Sequence, residues 1–150
     1  MKVCIGGTFD ILHKGHKMLI SKAYELAGKD GSVFIGVTTD NFIKNKGEIK
    51  SYDLRVKQLE DFLGKNGFLQ KSIIKPINDK FGPTIHKDFD AIVVSIETKN
   101  NAEEINKLRQ KNGKNQLKII IIPLIVADDG KKISSSRIRA GEIDNEGHLV

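Results

Sequence analysis

The chain has no tryptophan, one cysteine, two methionines and three prolines among its 150 residues. A single thiol excludes a disulfide framework and a multi-cysteine metal site, and Cys4, set between Val3 and Ile5, reads as a small core residue. Aromatic residues make up only 6% of the chain, so the basic stripe interleaved with rings that marks a single-stranded nucleic-acid groove is missing. No apolar run approaches the roughly 20 residues a membrane helix needs. The residues after Met1 lack the charged, apolar and small-residue order of a secretory signal. Together these absences predict a soluble, cytoplasmic protein that partners neither nucleic acid nor membrane. With no internal repeat, linker or low-complexity stretch, residues 1–150 are expected to form one domain around one core.

What the chain has in excess is positive charge. Its 25 Lys and Arg against 19 Asp and Glu give a formal charge of +6, which suits an anionic partner such as a nucleotide or a phosphorylated metabolite. The sign alone does not choose among anions, because the lysines are spread along the chain as on an ordinary solvated surface.

Apolar segments of two periods alternate along the sequence. Strands are expected at Lys2 to Phe9, Ser32 to Thr38, Lys71 to Ile77, Ala91 to Ser95 and Leu117 to Val126. Helical spacing appears from Lys14 to Ala27, with Gly28 as its stop, and from Asp53 to Asn66, where Val56, Leu59, Phe62 and Leu63 recur before Gly67. A third helix is predicted from Asn101 to Asn112, with an Asn-x-x-Glu cap and Gly113 as its stop. Pro123 should kink or end the last strand. Strands apolar enough to be covered on both faces, alternating with helices, predict an α/β fold with a doubly wound, Rossmann-like parallel sheet. In such folds ligands bind beyond the carboxyl ends of the strands, where strand order reverses.

The loop after the first strand then becomes the place to look, and it reads IGGTFDILHKGHKML. Gly6 and Gly7 let the backbone approach a bulky anion, and Thr8 adds a hydroxyl. His13 and His16, three apart at the start of a helix, project from one face of its first turn, where free N–H groups and the helix dipole favour phosphate. Gly15 keeps that approach open, and Asp10 is placed to cap the helix or orient its loop. Imidazoles donating from there could offset the charge that builds during substitution at phosphorus. Two other readings fit the pair by itself: ordinary polar positions of an amphipathic helix, or metal ligands. Zinc helices usually use a spacing of four with a third ligand nearby, and none is evident. Neither the Walker glycine pattern nor the dinucleotide fingerprint occurs here. Near the other end, GKKISSSRIRAGEID places Ser134, Ser135 and Ser136 before a short helical stretch, with Arg137 and Arg139 as permanent cations beside them. Such a group suits a polyphosphate, or equally a capped surface helix.

These residues also carry a resemblance. GTFDILHKGH is similar to the Gly-Thr-Phe-Asp and His-x-Gly-His signature of the nucleotidylyltransferase superfamily, and ISSSRIR resembles its second signature, Ile-Ser-Ser-Thr-x-Ile-Arg. Between them, KNK at Lys44 to Lys46, YxxR at Tyr52 to Arg55, GP at Gly82 and Pro83, and VVSxET at Val93 to Thr98 extend the likeness. The chain thereby resembles the archaeal and eukaryotic type of phosphopantetheine adenylyltransferase over nearly its whole length. The resemblance implies transfer of AMP from ATP to 4′-phosphopantetheine, giving dephospho-coenzyme A and pyrophosphate; Mg²⁺ accompanies ATP, and the sequence singles out no metal ligand among its residues. By motif position it implies catalysis by His16, His13 and Lys46. It implies ATP binding by Gly6, Gly7, Thr8, Phe9, His13, His16, Glu97, Ser134, Ser135, Ser136 and Arg137, and acceptor binding by Thr8, Lys44, Lys46 and Arg55. Two positions depart from the quoted patterns: Ile96 stands where family members often have Glu, and Ser136 where the broader superfamily often has Thr. The resemblance leaves the oligomeric state open.

Other readings share parts of this pattern. Glycerol-phosphate cytidylyltransferases and flavin adenylyltransferases use the same phosphate apparatus with other base and acceptor pockets. Class I aminoacyl-tRNA synthetases share the His-x-Gly-His logic, but 150 residues leave no room for tRNA-binding domains. A noncatalytic nucleotide sensor or a basic RNA-binding module are the readings from other classes. The intact histidines and serines weigh against the first, and the scarcity of aromatics against the second.

Overall fold

A computed structural model describes residues 1–43 and 48–150. The first strand, β1 (Lys2–Gly7), is followed by α1 (Lys14–Ala27), β2 (Ser32–Thr38), α2 (Tyr52–Lys65), β3 (Ser72–Ile77), β4 (Ala91–Ser95), α3 (Lys99–Lys111), β5 (Lys118–Ile122) and the short α4 (Ser135–Arg139). Two 3₁₀ turns, Leu69–Lys71 and Gly82–Ile85, flank β3. All five strands are parallel and lie in the order β3-β2-β1-β4-β5. Strand order therefore reverses between β1 and β4.

The alternation of side chains along each strand sorts the core into two layers. On one face Val3, Ile5, Val33, Ile35, Val37, Ala91 and Val93 pack against α1 and α2. The α1 residues that meet them, Ile20, Ala23, Tyr24 and Ala27, follow the i, i+3, i+4, i+7 spacing of a single helical stripe. On the other face Cys4, Phe34, Ile92 and Val94 pack against Ala102 and Ile105 of α3. A third cluster, Ala127, Ile133 and Ile143, sits under the C-terminal segment that carries α4. The doubly wound parallel sheet expected from the sequence is thus the architecture observed.

Boundaries differ where local geometry intervenes. β1 stops at Gly7, not Phe9, because Phe9 adopts a left-handed backbone, φ +51°, and turns the chain away from the sheet. β5 stops at Ile122, and Pro123 follows it. Helix α3 begins at Lys99, two residues earlier than predicted, and Asn101 does not cap it. The reason is the turn closed by Ser95 and Thr98: each backbone N–H bonds the other residue, to Thr98 Oγ1 and to the Ser95 carbonyl, both at 3.1 Å. That turn starts the helix at once, and Asn101, inside its first turn, bonds the Lys80 carbonyl instead. Pro76 is accommodated because β3 is an edge strand.

One detail of pairing makes the site. β1 stays paired with β2 through Gly7, but it pairs with β4 only at Val3 and Cys4. Beyond Cys4 the two central strands part, and a crevice opens at their carboxyl ends.

Candidate active site

The crevice holds a cavity of about 490 Å³. Gly6, Gly7, Phe9, His13, His16, Glu97, Ser134 and Ser135 all line it, so the structure brings together residues from both ends of the chain. The lining also includes Phe34, Phe81, Ile92 and Ile105 on the α3 face of the sheet, with Pro83 and Thr84 of the Gly82–Ile85 turn.

The histidine loop is organised by its own backbone. His13 is the N-cap of α1, and its Nδ1 accepts hydrogen bonds from Gly15 N at 3.0 Å and His16 N at 3.4 Å. His16 Nδ1 in turn accepts from His13 N at 3.4 Å, which completes a reciprocal capping box made of two imidazoles. With its Nδ1 accepting from two backbone N–H groups, neutral His13 carries its proton on Nε2. The rings stack with centroids 3.8 Å apart, and the Phe9 ring supports His16 at 5.3 Å. Gly15 has a steric task here: a β-carbon on it would stand 2.9 Å from His13 Cε1.

Burial is the main reason both imidazoles stay neutral. It pushes His13 down to about 3, helped by the neighbouring His16 and by Lys132. It pushes His16 down to about 4, although the Ile11 carbonyl and the Asp10 carboxylate pull the other way. At neutral pH the pair therefore consists of neutral N–H donors rather than imidazolium cations.

Asp10 is a buried junction, 4% exposed. Its carboxylate accepts from Lys50 N at 2.8 Å and pairs with Arg139, so it orients loops and leaves capping to His13. Ser135 Oγ bonds both the N–H and the carbonyl of Ile11 at 3.4 Å. These contacts hold the serine segment against the histidine loop. Ser134 is the N-cap of α4, accepting from Arg137 N, and its hydroxyl lies 3.1 Å from that of Ser136.

Four sequence-derived site residues lie outside the cavity lining. Thr8 receives a hydrogen bond from Thr38 Oγ1 at 3.0 Å, at the end of β1. Ser136 is exposed on α4. Arg137 is committed to Asp129, Glu142 and the Lys131 and Lys132 carbonyls. Arg55 is fully buried; it donates to the carbonyls of Lys50 and Thr8 at 2.8 and 2.9 Å and pairs with Asp40 at 3.1 Å. It has no face left for an acceptor and braces the Thr8 strand end from α2. Lys44 and Lys46 lie outside the described residues.

Comparison with known proteins places this geometry. The cytidylyltransferase-like family model matches residues 4–141. A protein named phosphopantetheine adenylyltransferase from Methanosarcina mazei is 44% identical over 149 residues, covering 99% of this chain and 96% of that one. One of the same name from Pyrococcus abyssi is 48% identical over 153 residues, covering 99% of this chain and 95% of that one. The chain belongs to the phosphopantetheine adenylyltransferase family. Among solved structures, a protein of unknown function from Archaeoglobus fulgidus superposes with a TM-score of 0.72 at 35% identity, covering 81% of this chain and 89% of that one.

Membership makes the chain a nucleotidyltransferase. Among the described residues, no three His, Cys, Asp or Glu side chains gather to hold a metal ion. Nor, among them, is any helix long and apolar enough to cross a membrane. Two residues stand in places the sequence reading did not give them. Lys132 lines the cavity beside both histidines, and Arg139 is the partner of Asp10. The signal for Lys132 was its place next to Ile133, one residue before the serine run; nothing in the sequence pairs Arg139 with a residue of the first loop.

Proposed function

We propose that this chain transfers the AMP moiety of Mg·ATP to 4′-phosphopantetheine, giving dephospho-coenzyme A and pyrophosphate. The observation that carries the reading is the pair of neutral histidines at the crevice between β1 and β4, in a chain so close to proteins of that name over nearly its full length. An oxygen of the acceptor phosphate attacks the α-phosphorus of ATP; as that bond forms, the bond from the α-phosphorus to the bridging oxygen breaks, and pyrophosphate leaves. The acceptor phosphate is already a nucleophile, so the protein's task is alignment and charge stabilisation, with no covalent intermediate.

The His16 imidazole donates to oxygens of the pentacoordinate phosphorus, and His13 holds the loop and donates beside it. Ser134 and Ser135 meet the phosphate chain from the opposite wall, with Ser136 behind them, and the glycines of β1 let it approach the backbone. Thr8 takes the acceptor phosphate, with Lys46 and Lys44 completing that end. Arg55 and Arg137 act by positioning Thr8 and the loop before α4. The apolar side chains that line the cavity on the α3 face accommodate the uncharged arm of the acceptor. Mg²⁺ enters with ATP as part of the substrate. The 150 residues act as one domain, and the reaction is cytoplasmic.

The cytidylyltransferase-like family description favours one rival, a CTP-dependent enzyme with a glycerol phosphate acceptor. Incubating the protein with Mg·ATP or Mg·CTP and a panel of phosphorylated acceptors, and identifying products by mass, separates the two. ATP with 4′-phosphopantetheine is expected to yield dephospho-coenzyme A and pyrophosphate. Preference for CTP and glycerol phosphate would overturn the assignment.

A further inference from the structure

One ion pair in the cavity has no part in the scheme so far. Lys132 Nζ lies 2.5 Å from a Glu97 carboxylate oxygen, and both side chains line the cavity. Glu97 comes from the turn after β4 and Lys132 from the loop before α4, so the pair joins two of the loops that border the cavity. Neither partner is buried, with side-chain exposures of 51% and 46%. An ion pair this wet contributes little to stability, and its lysine can leave it at small cost.

The backbone of Lys132 is fixed, by contrast. Its carbonyl accepts from Arg137 Nη1 at 3.0 Å, it bridges Val126, and the next residue, Ile133, is buried in the small C-terminal core. The side chain therefore reaches over the cavity from a rigid base. Its charge also acts on both imidazoles, helping to keep them neutral. The two arginines nearby are less available: Arg137 holds Asp129 and Glu142, and Arg139 holds Asp10.

We infer that Lys132 is the cation that grips the phosphate chain of the nucleotide, and that Glu97 is the counter-ion it leaves when that chain enters. The inference rests on the proposed function, since it requires a polyphosphate in this cavity. A ligand carrying several negative charges outcompetes a single carboxylate for a lysine ammonium, which acts as a compact point charge. In the free protein Glu97 keeps that ammonium extended across the opening; once the phosphates are bound, its own charge opposes theirs. This makes Glu97 a competitor of the phosphates rather than a ligand for them.

Calorimetric titration of the full chain with Mg·ATP and with adenosine tests this. K132Q should weaken Mg·ATP binding by roughly 10- to 100-fold, the effect of losing one charge-assisted contact, while adenosine binding stays unchanged. K132R, which keeps the charge, should remain within about threefold of wild type. E97Q should bind Mg·ATP more tightly and adenosine as before. K132Q that binds Mg·ATP like wild type would overturn the inference alone. So would a K132Q that loses affinity for adenosine in the same ratio, since the lysine would then support the cavity wall. Weaker Mg·ATP binding by E97Q would overturn the counter-ion role. A wild-type protein that binds no Mg·ATP would overturn the proposed function, and this inference with it, before any variant is made.

Discussion

The histidine arm and the serine arm face each other across one crevice, yet their hydrogen bonds span very different distances along the chain. His13 and His16 fix each other through bonds that reach two or three residues. Ser135 and Arg139 are fixed by Ile11 and Asp10, which lie 124 and 129 residues away. A first-turn capping box forms with its helix, so it needs little help from the rest of the protein. Helix α4, only five residues long, is too short to persist alone and takes its place from contacts that exist only once the sheet has assembled. The histidine rings therefore take their mutual geometry from their own turn, and the serine arm takes its place from residues far along the chain.

The largest effect is expected where a buried charge ties the histidine arm to α2. Arg55→Met strips the Thr8 and Lys50 carbonyls of their donor and should cost about 3–5 kcal/mol of unfolding free energy in urea titration. A cost below about 1 kcal/mol would mean that the histidine arm holds its shape with no long-range brace, sharpening the contrast further.

His16→Ala follows. It should lower kcat by on the order of 10² to 10³, about 2.7 to 4 kcal/mol, with much less change in ATP affinity, because its donor counts most when charge builds at phosphorus. A folded His16→Ala with wild-type kcat would reduce the histidine pair to a capping device.

The pH dependence is smaller but specific. Both imidazoles titrate in the folded state well below the ordinary 6.5, at about 3 and about 4. The unfolded chain therefore binds protons first as pH falls, so their contribution to stability is complete above 6.5. It is lost progressively toward pH 4, by at most about 1.4 kcal/mol per histidine per pH unit. Urea midpoints measured between pH 7 and 4.5 should fall, and His13→Asn should flatten the slope. An unchanged slope in that variant would show that other groups set the acid limit.

Gly15→Ala is the mildest break. The added methyl meets the His13 ring at 2.9 Å, so the ring must shift and the stacked pair must loosen. A fall in kcat of about tenfold is expected, in line with the cost of displacing an aligned group by part of an ångström. Wild-type kinetics with an altered His13 chemical shift would show that His16 alone sets the rate.

Much of this was legible in the chain itself. Parallel strands covered on both faces are apolar runs, and β2 and β4 begin and end where those runs do. Helix α1 is bounded by His13 and by Gly28, whose φ of +74° suits a residue without a β-carbon. The start of α3 was not legible, because Asn101 offers a plausible cap and only the Ser95–Thr98 turn overrides it. Arg55 showed the opposite difficulty. A basic residue opening a helix reads as a surface or ligand-binding position, and its burial follows from where the Thr8 and Lys50 carbonyls come to lie.

The sequence by itself determined the α/β class, the loop beyond β1 as one that borders the crevice, and the mutual geometry of the histidines, because each depends on period or on contacts within a few residues. The tertiary structure decided that β1 and β4 part after Cys4, that Arg55 and Arg137 brace loops, that Asp10 and Arg139 join the two arms, and that Lys132 reaches across to Glu97. Those outcomes depend on partners far apart in the chain, and which charge meets which carbonyl or carboxylate is settled only when the sheet brings its loops to one edge.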